Sequence, residues 1–190
     1  MSAVLETSKR PGKGWTYADY CRLDDGQRYE ILDGELIPVQ PPGASYSHQN
    51  ESGNLYVLLR SFVASRKLGK VLYAPFDVVL DEREVLQPDL LFVAEARRSI
   101  VKPEGVFGPP DLVVEIVSPS SIRRDRAQKK DIYARFEVPE YWLVDHIHRT
   151  VEVFILENGK YVLHAPEAGK VVSRVVAGFT VDVAACFEEW

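Results

Sequence analysis

Asp111-Leu112-Val113-Val114-Glu115-Ile116-Val117-Ser118, directly after Gly108-Pro109-Pro110, is the stretch on which the fold turns. Five of the six residues from Leu112 to Val117 are apolar β-formers, the pattern of a strand buried on both faces. Glu115 interrupts that run. Desolvating an unpaired carboxylate costs several kcal/mol, so such a residue shifts its pKa, finds a partner or binds a metal. Asp89 has a similar setting: it follows Gln87-Pro88 and opens Leu90-Leu91-Phe92-Val93. Two acids on two hydrophobic strands, followed by a helix with a basic run, suit a metal site for phosphodiester chemistry.

Working downstream, Ser118-Pro119-Ser120-Ser121 predicts the cap of a helix over residues 122–136. Tyr141-Trp142-Leu143-Val144 is the next apolar strand, with Trp142 a core residue. The result is a strand–helix–strand crossover over residues 112–144. Strands over 151–156 and 161–164 flank Asn158-Gly159, a hairpin signal. A weak strand and a short helix over 184–189 end the chain.

Upstream, residues 103–110 are a Pro-rich loop, and strands are expected over 71–74, 77–80 and 89–93. A long helix is predicted over 46–67: Leu55, Leu58, Leu59 and Phe62 recur at helical spacing, and Gly69 stops it. Tyr29-Glu30-Ile31-Leu32 and Glu35-Leu36-Ile37-Pro38-Val39 form a hairpin around Asp33-Gly34. A short helix over 15–23 takes Thr16 as N-cap. Residues 1–14 read as a disordered lead-in without the apolar segment of a secretory signal. Residues 15–190 read as a single domain, and 190 residues suffice to bury a core.

Composition is that of an ordinary soluble protein, and no apolar run approaches the roughly 18 residues needed to span a bilayer. Cys21 and Cys186 form no motif and read as reduced thiols of a cytoplasmic protein. The net charge of −5 argues against a protein that coats nucleic acid, though not against an enzyme acting on it. Arg123, Arg124, Arg126, Lys129, Lys130 and Arg135 crowd the segment after Glu115, and Arg97, Arg98 and Lys102 follow Asp89. Either run also fits a solvated helix face.

Asp89 and Glu115 can share a Mg²⁺ or Mn²⁺ ion if their strands are neighbours; such an ion takes few carboxylates and keeps waters. Asp111 lies on the face of Glu115 but roughly 13 Å along the strand, too far to join it. An edge position, or a salt bridge to Arg123 or Arg124, is the structural alternative for Glu115. Asp125, Lys129 and Tyr133 fall at i, i+4 and i+8, hence on one helix face. Asp125 and Lys129 could be a simple surface ion pair, or Asp125 could hold the Lys129 ammonium beside the attacking water or the phosphate. Tyr133 reads as a packing residue whose hydroxyl reaches the site. His48 reads as a surface or capping residue. His146, His148 and His164 show no ligand spacing.

The stretches Tyr29-Glu30-Ile31-Leu32-Asp33-Gly34-Glu35, Pro88-Asp89-Leu90-Leu91-Phe92-Val93 and Pro110 through Ser120 carry a family likeness, together with His48, Asp125, Lys129, Tyr133 and Val138-Pro139-Glu140-Tyr141-Trp142-Leu143-Val144-Asp145. From Trp15 onward the chain resembles the Uma-type putative restriction endonuclease family of the PD-(D/E)xK nuclease superfamily. The resemblance implies an α/β, restriction-endonuclease-like mixed sheet flanked by helices, here with added N-terminal and C-terminal β-hairpins. It implies Asp89 and Glu115 as metal ligands and Glu30 as an auxiliary acid. The superfamily places a lysine two residues after the second acid, where this chain has Val117. Lys129 matches a lysine moved to the following helix.

The expected function is a Mg²⁺-dependent endonuclease, acting on DNA as a homodimer without membrane contact. Asp89, Glu115, Lys129, Asp125 and Glu30 form its catalytic set, and Arg123, Arg124 and Lys130 contact nucleic acid. The alternative is an inactive nucleic-acid-binding or assembly module on the same fold, which Val117 and the acidic net charge favour.

Overall fold

The computed structural model describes residue 12 and residues 14–39, 45–117 and 124–189, with Arg124 and Asp125 described in backbone only. Most of the expected lead-in, the Ser118–Ser121 cap and Arg123 therefore lie outside the described residues.

Helix α1 (Tyr17–Tyr20) is shorter than expected, but Thr16 caps it as the sequence predicts. Its hydroxyl accepts the Asp19 N–H while Asp19 returns a bond to the Thr16 backbone, a capping box. Strands β1 (Tyr29–Leu32) and β2 (Glu35–Pro38) form the hairpin around Asp33-Gly34. Helix α2 (Tyr46–Arg66) starts at Ser45, whose hydroxyl accepts the His48 N–H. Lys67, in the left-handed conformation, ends it, not Gly69. Gly69 serves the next strand: a Cβ there would lie 2.1 Å from the Val93 carbonyl oxygen.

Strand β3 (Gly69–Tyr73) is followed by β4 (Val78–Asp81), β5 (Glu84–Leu86) and β6 (Leu90–Ala94). The sequence reading did not separate β5; its three residues are too few to show a period. A 3₁₀ segment (Glu95–Ile100) and β7 (Val106–Phe107) lead to β8 (Leu112–Val117). The single helix expected next is instead a π-helical turn (Arg124–Lys129) running into α3 (Lys130–Arg135). Strands β9 (Glu140–Asp145), β10 (Thr150–Glu157) and β11 (Lys160–His164) follow. The carboxyl-terminal part differs from the single weak strand expected. It holds two short paired strands, β12 (Lys170–Val172) and β13 (Thr180–Asp182), and a 3₁₀ turn (Ala184–Phe187).

Six strands form a mixed sheet in the order β11-β10-β9-β8-β6-β3. Its single parallel pair, β8 with β9, is joined by the crossover that carries α3. The N-terminal hairpin is no appendage: it joins a second sheet ordered β2-β1-β5-β4-β7.

All six residues of β8 are buried, as are all six of β9. Alternation sorts their side chains. Leu112, Val114 and Ile116 join Leu90, Phe92, Trp142 and Val144 beneath Leu55, Leu59 and Val63 of α2. Val113 and Val117 turn the other way, to Leu143, Tyr141 and to Ile132 and Tyr133 of α3. Each fully buried aliphatic chain contributes about 1.5–3 kcal/mol relative to exposure. Helices on opposite faces thus lock the strand that bears Glu115. No described helix is long and apolar enough to cross a membrane. Cys21 is exposed and Cys186 buried, both as free thiols.

Candidate active site

Antiparallel β6 and β8 place Leu90 opposite Val114 and Leu91 opposite Val113. One further step of that register puts Asp89, immediately before β6, opposite Glu115. The Ile116 N–H donates to Asp89 Oδ2 at 2.7 Å, which ties the first acid to the residue next to the second. His48, in the first turn of α2, brings Nε2 to 3.1 Å from Asp89 Oδ1. The histidine read as a cap therefore faces the site acid.

Glu115 is buried and is met by two groups from the far side of the crossover. Lys129 Nζ lies 3.1 Å and the Tyr133 hydroxyl 3.0 Å from its Oε1. The same ammonium lies 2.8 Å from Glu30 Oε1 in β1. The Gln87 N–H donates to that Glu30 oxygen at 3.0 Å. Side-chain exposure is only 7% for Lys129 and 4% for each carboxylate. In so dry a setting the lysine offsets the repulsion between the acids. Burial, followed by the charge of Glu115, holds the Tyr133 phenol well above its ordinary range, so its hydroxyl stays a donor.

Lys129 and Tyr133 thus share one face, as their spacing predicts. Lys129 closes the π-helical turn, a form frequent at functional sites. A salt bridge from Glu115 to Arg123 or Arg124, the structural alternative, falls on side chains outside the described residues; Lys129 pairs with Glu115. Val117, where the superfamily has lysine, is buried among the apolar residues around Tyr133. The Asp125 and Arg124 side chains lie outside the described residues. Lys130 does not point along with Lys129: its Nζ sits 3.6 Å over the Phe154 ring, and burial lowers its pKa. Asp111 is occupied away from Glu115, accepting the Ala94 N–H and pairing with Arg97 at 2.8 Å.

Two residues at the site escaped the sequence reading. Gln87 Nε2 donates to Asp77 Oδ1 at 2.8 Å. Burial raises the Asp77 carboxyl; the Gln87 bond opposes this and the Glu30 charge adds to it. A polar Gln87 directly before Pro88-Asp89, inside an otherwise apolar stretch, was the available signal.

Asp89 and Glu115 are hard oxygen donors at matching positions on neighbouring strands, which fits a hard divalent cation. Among the described residues no three or more His, Cys, Asp or Glu side chains are grouped to hold a metal. Two carboxylates are the donor set that an ion such as Mg²⁺, which keeps waters and uses substrate oxygens, would take.

A family model described as Uma2, putative restriction endonuclease, matches residues 16–184. The uncharacterized protein sll1609 of Synechocystis sp. (strain ATCC 27184 / PCC 6803 / Kazusa) is 27% identical over 141 residues, which is 72% of this chain and 78% of that protein. The crystal structure of a putative nuclease belonging to DUF820 from Anabaena variabilis ATCC 29413 is similar with a TM-score of 0.75 at 16% identity, covering 92% of this chain and 98% of the other. That likeness, at such low identity, is one of fold.

Proposed function

Because the chain belongs to the Uma2 family of putative restriction endonucleases, we propose that it is a nuclease, specifically a metal-dependent endonuclease that hydrolyses phosphodiester bonds in DNA. The observation that carries this reading is the Lys129 ammonium, buried between Glu30 and Glu115 on the strand paired with the one Asp89 precedes. A fold needs no such arrangement, since apolar residues of similar volume are often as stabilising as a buried ion pair. The name of the Anabaena variabilis neighbour, a putative nuclease, agrees with it.

Asp89 and Glu115 would hold the metal, Mg²⁺ or Mn²⁺, which supplies an activated water and a counter-charge for the phosphoryl oxygens. The remaining roles belong to the protein. The Ile116 N–H fixes the Asp89 carboxylate, and the Tyr133 hydroxyl fixes Glu115. Glu30, itself held by the Gln87 N–H, keeps the lysine beside Glu115. Lys129 then acts where charge grows on the phosphate. A preorganised donor in a dry site stabilises that charge most in the transition state. In this reading Glu30 joins in positioning the ammonium, the role the helix spacing assigns to Asp125.

A plasmid-nicking assay with Mg²⁺ or Mn²⁺ tests the proposal. The unmodified protein should convert supercoiled DNA to open circles, and Asp89→Asn should abolish this. Absence of cleavage on DNA and RNA alike, with metal bound, would leave the inactive nucleic-acid-binding module as the reading.

A further inference from the structure

Three of the four histidines gather at one end of the six-stranded sheet, each against a carboxylate. His48 belongs to the site already described. His146 and His148 do not: they sit in the turn 146–149 that joins β9 to β10. His146 Nδ1 lies 2.5 Å from Glu51 Oε1 of α2, and His148 Nδ1 lies 3.0 Å from Asp145 Oδ2.

The turn leaves the sheet beside the site. Strands β8 and β9 are parallel, with Glu115 opposite Leu143 and Val117 opposite Asp145. His146 is three residues beyond the level of Glu115 and one strand over, hence about 11 Å away in backbone terms. A DNA strand carries one phosphate per roughly 3.4 Å of helix axis, so the turn lies within a few phosphates of the proposed cleavage point.

The acids of the turn are hidden and its donors are not. Asp145 and Glu51 expose 4% and 3% of their side chains, whereas His148 and His146 expose 70% and 46%. A carboxylate oxygen accepts, so with the Nδ1–H tautomer each ring donates to its acid and Nε2 is the ring atom left for an outside group. Asp145 Oδ1 also accepts the N–H groups of Ile147 and His148, which fixes the turn in shape. Although burial alone would raise it, the Asp145 carboxyl lies below its ordinary value because His148 and Arg126 bond to it.

Around the imidazoles stand Arg126, shared between Asp145 and Glu152, and Lys130 beside Glu152. Behind Glu51 lies the Cys186 thiol, pushed up to about 12 by burial and hence neutral. One buried Glu51 oxygen, Oε2, has no hydrogen-bond partner among the described residues. The imidazole of His146 is thus the group that answers this buried acid.

We propose that the β9–β10 turn is a nucleic-acid backbone-binding element in which His146 and His148, fixed through Nδ1, offer Nε2 to phosphates flanking the scissile one. The inference rests on the nuclease reading for its ligand. A phosphate oxygen only accepts, so each imidazole meets it as the doubly protonated, cationic ring, whose Nε2–H donates.

The test is fluorescence anisotropy of a labelled DNA duplex with the full chain, over a salt series at pH 6. The double variant His146→Gln, His148→Gln should bind several-fold more weakly than the parent, with a salt slope shallower by about one to two. Ile147→Lys adds a cation at a position 63% exposed without touching either buried acid. It should steepen the slope by about one. Parent-like slopes in both variants overturn the proposal while leaving the nuclease reading intact. Absence of binding to any nucleic acid by the unmodified protein overturns both.

Discussion

Lys129 Nζ stands 3.1 Å from Glu115 Oε1 although fourteen residues separate the two along the chain. The ammonium beside Glu115 comes from across the crossover and not from β8, where Val117 stands two residues after the acid. From there the lysine also reaches Glu30 on another sheet.

That double contact shapes what a lysine deletion does. Lys129→Ala removes the ammonium that meets both buried carboxylates and should cost about 3–5 kcal/mol of stability. Adding Glu30→Gln should recover much of that loss. Cleavage should fall by about 10²-fold or more in both proteins, the effect of removing one preorganised donor. Chemical denaturation and plasmid nicking, run on the same samples, check this. A double variant that regains activity along with stability would reduce Lys129 to a structural role.

Lys130→Ala is the matched control. Its ammonium packs on Phe154, so its loss should cost about 0.5–1 kcal/mol of stability and little cleavage. An equal drop in activity for Lys130→Ala and Lys129→Ala would remove the case for Lys129 as the catalytic cation.

Metal binding should appear as stabilisation even without substrate. At a hundredfold excess over its dissociation constant, Mg²⁺ or Mn²⁺ should stabilise the protein by about 2.7 kcal/mol. Asp89→Asn combined with Glu115→Gln should erase the shift in thermal melting. A shift that survives this double variant would locate the ion at other residues.

Glu84 gives stability a pH dependence near neutrality. It accepts the Asp33 N–H at 3.0 Å and pairs with Arg135 of α3. Burial outweighs both and pushes its carboxyl up to about 7 from an ordinary 4.5. A raised folded-state pKa means that the folded chain holds the proton more tightly. Its contribution is complete below the ordinary value and is lost as pH rises through about 7. The melting temperature should therefore be higher at pH 6 than at pH 8, and Glu84→Gln should shrink that gap. An undiminished gap would assign the dependence to other groups.

The central strand was legible because a doubly buried strand leaves a continuous apolar run, and Glu115 stood out against it. The N-terminal hairpin announced itself through Asp33-Gly34, and α2 through the spacing of Leu55, Leu59 and Phe62. Local patterns of this kind span only a few residues. They show that Lys129 and Tyr133 share a face, and they cannot show that Glu51 meets His146 ninety-five residues later. The π-helical turn was invisible for a similar reason: the Lys129 that closes it meets carboxylates on two distant strands. The role of Glu30 came only through family likeness, because nothing within β1 hints at a partner in the crossover.

Glu30 belongs to the five-stranded sheet and Glu115 to the six-stranded one, so Lys129 works as a rivet across their seam. Proteins open in parts before they melt as a whole. Parting of the seam takes Glu30 away from Lys129 while Glu115 stays in place in its strand. On the nuclease reading proposed above, cleavage is then lost at temperatures where the larger sheet still stands. On the same reading, substitutions anywhere along that seam acquire the power to silence the protein without unfolding it.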